Sequence, residues 1–214
     1  MRTLDELQDD LDSNLAWRRT ELQSIRAQLR TAKGTFQTAL CRAGVALLYA
    51  HWEGYTRHAL SQYLRFVARR RLKYSEMQYN FTALALEAEI DKMHGASASM
   101  RRTARVYKIM EEHDKRPFIP SRDVVKTESN LNSGVCTDLF AMLGLDYSPF
   151  ETKNMLIDYK LLRARNEIAH GQYAAVALDE YEELHDEVGT MLNLVRSIIL
   201  GAALNQHYRR QPNP

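Results

Sequence analysis

The chain has 214 residues, 45% of them hydrophobic and 26% charged, with a formal net charge of +2. That is ordinary composition for a soluble globular protein, long enough for one domain with a real core and room for an extended appendage. Overall charge points to no partner, and two cysteines set among apolar residues, Cys41 and Cys136, read as small buried hydrophobes in a reducing compartment, excluding a disulfide frame or a cysteine metal site.

The N-terminus is charged from the start and has no apolar signal core. Leu4, Leu7, Leu11, Leu15, Leu22, Ile25 and Leu29 recur at threes and fours, with one doubled step, which predicts an amphipathic helix over 3–32. Gly34 breaks it and Thr35 is placed to cap a second, more apolar helix that runs through the core to about residue 72. Gly44 and Gly54 within it mark either close helix packing or a kink. Asn80 is placed to cap a third helix ended by Gly95, and Ser97 or Ser99 opens a fourth, stopped by Pro117. Residues 117–133 form the main irregular segment. A short helix follows from Val135. Ser148-Pro149 then starts the helix that ends at Gly171, and a last helix spans Asp179 to about Tyr208 behind an acidic first turn. Strand patterns are absent, so the expected fold is all-α: residues 1–33 an N-terminal amphipathic helix, appended or packed on the bundle, 34–208 a helical domain, and 209–214 a frayed tail. The late apolar run "SIILGAAL" is short for a membrane span. The expected location is cytoplasmic, with no membrane partner.

Charge is unevenly distributed. No acidic residue falls between Glu53 and Glu76, where Arg69, Arg70 and Arg71 stand in a row, and Arg101, Arg102 and Arg105 form a second cluster. Such clusters attract a polyanion or form a solvated helix face; the six arginines are candidates for RNA binding. His51 and His58 lack a third ligand at metal spacing, so neither a metal nor another cofactor is expected.

The stretch "RARNEIAHG", Arg163 to Gly171, carries the chemistry. At about 100° per residue, Ile157, Leu161, Ala164 and Ile168 make a core stripe, while Met155, Tyr159, Leu162, Asn166 and His170 share the opposite face. That mixed face is suited to a neighbouring helix or a second subunit. Arg165 sits between the faces. His170 on the last turn is favoured in its charged form by the helix dipole. An imidazole that exchanges protons near neutrality and a guanidinium that clamps phosphate suit metal-free RNA cleavage by the 2′-hydroxyl. One imidazole serves poorly as base and acid at once, so a two-fold pair of Arg/His sets makes chemical sense. Without that chemistry, the stretch is a helix ended by Gly171. Glu53, in "HWEG", either reaches such a cleft and orients Arg165 or His170, or pairs structurally with an arginine or backbone group. Tyr173 either lines the cleft or packs against the last helix.

Arg165-Asn166, three residues, then His170 resembles the R-N-x-x-x-H form of the motif of the HEPN superfamily. Residues 47–60 ("LLYAHWEGYTRHAL"), 128–146 and 161–171, in that order, are similar to the bacterial MAE-type HEPN-like nucleases. The resemblance covers about residues 35–200. It implies an antiparallel helical bundle forming a symmetric homodimer with a composite cleft. It also implies RNA cleavage to a cyclic phosphate and a 5′-hydroxyl, in a toxin–antitoxin or anti-phage setting with an antitoxin or co-transcribed partner. By position, Arg165 stabilises phosphate, His170 is acid/base and Asn166 supports them. Gln172 stands where nucleotidyltransferase-silenced toxins carry Tyr, which departs from that form of regulation. The alternative is a non-catalytic helical RNA-binding or protein-interaction module.

Overall fold

The computed structural model describes residues 2–127, 130–173 and 175–210. Glu128 and Ser129 of one resemblance segment, and residues 211–214 of the expected tail, lie outside them. Among the described residues the fold is all-α, with no strand and a single isolated bridge between Met77 and Arg209.

Helix α1 (Leu4–Thr31) begins where the Thr3 hydroxyl accepts a hydrogen bond from the Glu6 amide at 3.1 Å, with Asp5 and Glu6 at the positive end of the dipole. Its leucines at 7, 11, 15, 22 and 29 are all buried. Gly34, at φ +61°, lets the chain reverse into α2 (Gly34–Ala68), which starts without a side-chain cap; Thr35 falls inside the helix. The expected Thr35 cap is not made because the glycine itself turns the chain.

α1, α2 and α7 (Leu178–Leu204) pack against one another in pairs and enclose the core. Both helix glycines mark close packing. A Cβ at Gly44 would lie 2.5 Å from Tyr181 Cε2 of α7, and one at Gly54 would lie 3.0 Å from the Arg18 guanidinium of α1. Ion pairs seal the α1–α7 seam: Arg196 with Asp12, Arg30 with Glu182, and Arg26 with both Glu182 and Asp186. α7 is also long and apolar enough to cross a membrane by length and composition, with a mean hydropathy of 1.4 over its most apolar window. The run "SIILGAAL" is the C-terminal part of this helix. Tyr181, Leu184, Val188, Leu192, Val195 and Ile199 of this helix are buried in the core.

Beside this core, α3 (Tyr79–Ile90) packs against both α4 (Ala98–Glu111) and α5 (Ser133–Met142). Asn80 does not cap α3. It lies in the first turn after Gln78 and donates to the Met142 carbonyl at 3.0 Å, so its amide ties α3 to the end of α5. Ser97 caps α4 through the Met100 amide at 3.2 Å, but no side chain of α4 is buried. α7 ends at Leu204, four residues short of expectation. The chain that follows straps back over α2: the Tyr208 ring meets Phe66 at 5.9 Å, and the Arg210 amide donates to the Glu76 carbonyl. Arg209 and Arg210 are therefore held by backbone bonds where a frayed end was expected.

Between α5 and α7 the chain winds in three ways. A 3-10 turn (Ser148–Lys153) gives way to a π segment (Leu156–Arg163) and then to α6 (Ala164–Ala169). Phe150 of the turn sits in an aromatic cluster with Trp52 of α2, Phe140 of α5 and Tyr147, at centroid distances of 5.5–5.7 Å. Burying those rings fixes the start of the segment that carries the Arg-Asn-His motif.

Candidate active site

Two side chains of α2, Tyr49 and Glu53, stand one helical turn apart and face α6. The Arg165 guanidinium lies over the Tyr49 ring at 4.4 Å and donates to Asn166 Oδ1 at 2.8 Å. Its Nη2 stands 3.7 Å from Glu53 Oε2, a loose ion pair; the two side chains are 25% and 17% exposed. Glu53 Oε1 accepts a hydrogen bond from the Thr127 hydroxyl at 2.6 Å, and Tyr49 Oη accepts from the Leu131 amide at 2.7 Å. Burial first, then the Glu53 charge, push the Tyr49 hydroxyl up to about 12, so it remains neutral. The irregular segment after Pro117 is thus fastened to the same two α2 residues that hold Arg165.

The π segment revises the helical wheel. An i→i+5 ladder turns less per residue than 100°, so faces drawn on an ideal α-helix drift across 156–163. Leu162, expected on the far face, is half-buried against the core, whereas Met155 (68% exposed) and Tyr159 do lie outside. Asp158 in this segment accepts from both the amide and the hydroxyl of Ser133, at 2.7 and 2.5 Å, pinning the π turns to the start of α5. π turns recur at functional sites.

α6 regains ordinary winding for the motif. His170 is its C-cap, and its amide donates to the Asn166 carbonyl at 3.0 Å. Gly171 at φ +72° closes a Schellman turn: its amide bonds the Ile168 carbonyl and the Gln172 amide bonds the Glu167 carbonyl. His170 is exposed, and among the described residues its ring makes no hydrogen bond. Asn166 touches both ends of the motif, with its side chain on Arg165 and its carbonyl on the His170 backbone.

The structure therefore brings Arg165, Asn166 and Glu53 together and leaves the His170 imidazole at the open end of the same helix. Tyr173 does not pack on α7. Its ring is 79% exposed, with the Arg42 guanidinium of α2 at 5.9 Å, and Arg42 also donates to the Gln172 carbonyl at 2.8 Å. The basic clusters separate. Arg69 and Arg71 line a surface groove, while Arg70 folds back over the Phe66 ring at 4.0 Å. Arg101, Arg102 and Arg105 project from the exposed α4. His51 and His58 serve α1: His51 lies between Arg18 and Glu21, and His58 meets Asp10 at 2.6 Å. Cys41 and Cys136 are free and buried, and burial pushes the Cys136 thiol up to about 12. Sequence reasoning did not find Tyr49 or Thr127. The i, i+4 spacing of Tyr49 and Glu53 was a usable signal for the first; no local pattern marks the second.

A bundle with this motif at a helix end can be compared with known families. The model of RiboL-PSP-HEPN matches residues 13–201. The chain belongs to the RiboL-PSP-HEPN family. No curated protein and no solved structure matches it. The HEPN match includes most of α1, α2, the motif helix and nearly all of α7, the elements that enclose the core and hold Arg165. Membership supports an RNA-related role in general terms.

Proposed function

We propose that this HEPN domain is a metal-independent endoribonuclease that acts as a homodimer. The observation that carries the reading is the guanidinium of Arg165, braced by Tyr49, Glu53 and Asn166, on the helix whose open end presents His170. A braced cation is organised before the substrate arrives and need not reorganise as charge builds on the phosphate. In the proposed step one imidazole takes the proton of the RNA 2′-hydroxyl, and a 2′-O–P bond forms while the P–O5′ bond breaks. A second imidazole, from the other copy, gives a proton to the leaving 5′-oxygen. The products are a cyclic phosphate and a 5′-hydroxyl. The uncovered Met155 and Tyr159 are suited to the seam between copies. A cytoplasmic toxin or anti-phage effector, paired with an antitoxin or other co-transcribed protein, is the setting this chemistry fits. The narrower likeness to the MAE-type nucleases rests on the three sequence segments.

A second reading has its own support. Five residues along an α-helix place two side chains about 140° apart around the axis, and Arg165 is turned toward its own Glu53. A non-catalytic helical RNA-binding or protein-interaction module is compatible with that arrangement. Cleavage of RNA in EDTA separates the two. The nuclease reading expects activity from the wild type and loss of at least about 100-fold in both Arg165→Ala and His170→Ala, each still folded. Activity that survives both substitutions excludes this site.

A further inference from the structure

α2 and the irregular segment that follows Arg116 run alongside each other, and between them lies a groove of ≈ 680 Å³. Arg65, Arg69 and Arg71 stand on the α2 side, Arg116 and Arg122 on the other, and no acidic residue lines it. Among the described residues none of Arg69, Arg71, Arg116 and Arg122 forms an ion pair. Phe118 on the segment's wall presents a 64% exposed ring, with Lys92 Nζ 5.6 Å from its centroid. The groove continues into a second depression of ≈ 370 Å³ that shares Gln62, Arg65 and Ser121 with the first and adds Gly54, the cations Arg18 and Arg57, and one carboxylate, Asp123. Gly54 follows Glu53, and the segment itself reaches Glu53 through Thr127. The furrow thus runs along α2 as far as Gly54, in the same helical turn as Glu53.

We infer that this furrow is the track of a single-stranded RNA, which it leads toward the phosphate site at Arg165; the destination rests on the nuclease reading, the track itself does not. The sixteen helical steps from Arg69 back to Glu53 span about 24 Å, the length of roughly seven stacked nucleotides at about 3.4 Å each. Arginines on both walls neutralise one backbone, and Phe118 offers a face on which any base can stack. An unpaired strand can lay a base on Phe118, whereas a duplex keeps its bases stacked inside. An acidic protein segment would meet the same charge, but it brings no base to stack on the exposed ring.

The test measures binding of a fluorescein-labelled 12-nucleotide RNA by anisotropy from 50 to 200 mM salt, using His170→Ala protein so that the oligonucleotide stays whole. Arg69→Gln/Arg122→Gln removes one cation from each wall; Arg71 is left in place because its φ of +53° makes any exchange there a backbone test as well. At about 0.7 per phosphate contact on a single strand, the slope of log affinity against log salt should fall by about 1.4, and affinity near 0.1 M salt by roughly 25-fold. Arg69→Lys/Arg122→Lys should restore most of both. Wild-type affinity and slope in the Gln pair would overturn the inference. So would equal binding of a blunt RNA duplex, or competition by polyglutamate as effective as by RNA of equal charge. Loss of binding supports the track whether or not the wild type cleaves, and RNA left intact by wild type counts against the nuclease reading alone.

Discussion

Replacing Glu53 by Gln removes a charge and almost nothing else. The amide keeps an oxygen for the Thr127 hydroxyl, which Glu53 now accepts at 2.6 Å, and keeps the volume beside Tyr49. What it loses is the attraction on Arg165 Nη2 at 3.7 Å. With an effective dielectric near 20, that attraction is worth about 4–5 kcal/mol before costs. Both side chains are largely but not wholly covered, and the pair is too long for a strong hydrogen bond, so water and the amide return most of it. A net loss of about 1–2 kcal/mol remains. Applied to holding the guanidinium for the transition state, this is roughly a five- to thirtyfold fall in kcat. The assay is a double-mutant cycle on RNA cleavage with Arg165→Ala: once the guanidinium is gone, Glu53→Gln should cost nothing further. The same cycle read in urea melts should show a coupling of about 1 kcal/mol. Glu53→Ala should differ from Glu53→Gln by a further loss of about 1–3 kcal/mol in stability, because it strands the buried Thr127 hydroxyl. Additive effects of Glu53→Gln and Arg165→Ala in both readouts would refute the bracing argument.

Glycine exchanges test the helix packing: Gly189→Ala, with nothing within 4 Å of its Cβ, should raise stability by about 0.5–1 kcal/mol, whereas Gly44→Ala, driven into Tyr181, should lower it by about 1–3 kcal/mol in thermal or urea melts. Equal effects at the two sites would show that α2 and α7 are not in close contact. Gly171→Ala meets no atom but forces a left-handed alanine at φ +72°, so a loss of about 1 kcal/mol and a weaker hold on His170 should appear as reduced stability and reduced cleavage together. His51 and His185 are held below the ordinary imidazole range by burial first, and neighbouring arginines act in the same direction. The unfolded chain takes up those protons near pH 6.5, before the folded protein does. Stability should therefore be full above about pH 6.5 and fall as the pH drops from there toward the lower folded values, by at most about 1.4 kcal/mol per pH unit for each histidine. Urea midpoints that do not change between pH 7.5 and 5 would contradict this.

The long helices were legible because their signals are local and repeated. Seven apolar positions at threes and fours specify α1 whatever surrounds it, and Ser97 needs only the Met100 amide to cap α4. Asn80 misled because an asparagine at a helix start can bond its own turn or reach elsewhere, and tertiary context chose the Met142 carbonyl. The π segment was invisible for a related reason: no residue in Leu156–Arg163 forbids an α-helix, and the wider winding accompanies ties made far away in sequence, through Phe150 in its aromatic cluster and Asp158 on Ser133. At the candidate site the motif residues were readable as a string, and their surroundings were not. Thr127 meets Glu53 across 74 positions and Leu131 meets Tyr49 across 82, so only the fold puts an irregular segment beside Arg165. The same holds for the groove. Arg69 and Arg71 belong to a cationic run, but Arg116 stands just before the proline-bearing segment and Arg122 within it, and they become partners only when that segment lies along α2.

The spacing of the motif bears on why a second copy is proposed at all. On one helix Arg165 and His170 diverge by about 140°, and the structure uses that divergence: the guanidinium turns inward to Tyr49 and Glu53, and the imidazole is left at the open end beyond the last turn. Drawing them together within one chain would require unwinding the Schellman turn at Gly171 or breaking the Glu53 contact, each at a cost of about 1 kcal/mol or more. Pairing two copies along the face that carries Met155 and Tyr159 offers another route, because a two-fold axis can set the open end of one motif helix opposite its mate without disturbing either brace. It also supplies the second imidazole that the leaving oxygen needs. On this argument activity requires the dimer. A polar substitution at Tyr159, such as Tyr159→Glu, should therefore abolish cleavage and halve the mass measured by light scattering, leaving the helical circular dichroism signal in place. An active monomer would show that the two groups meet within one chain.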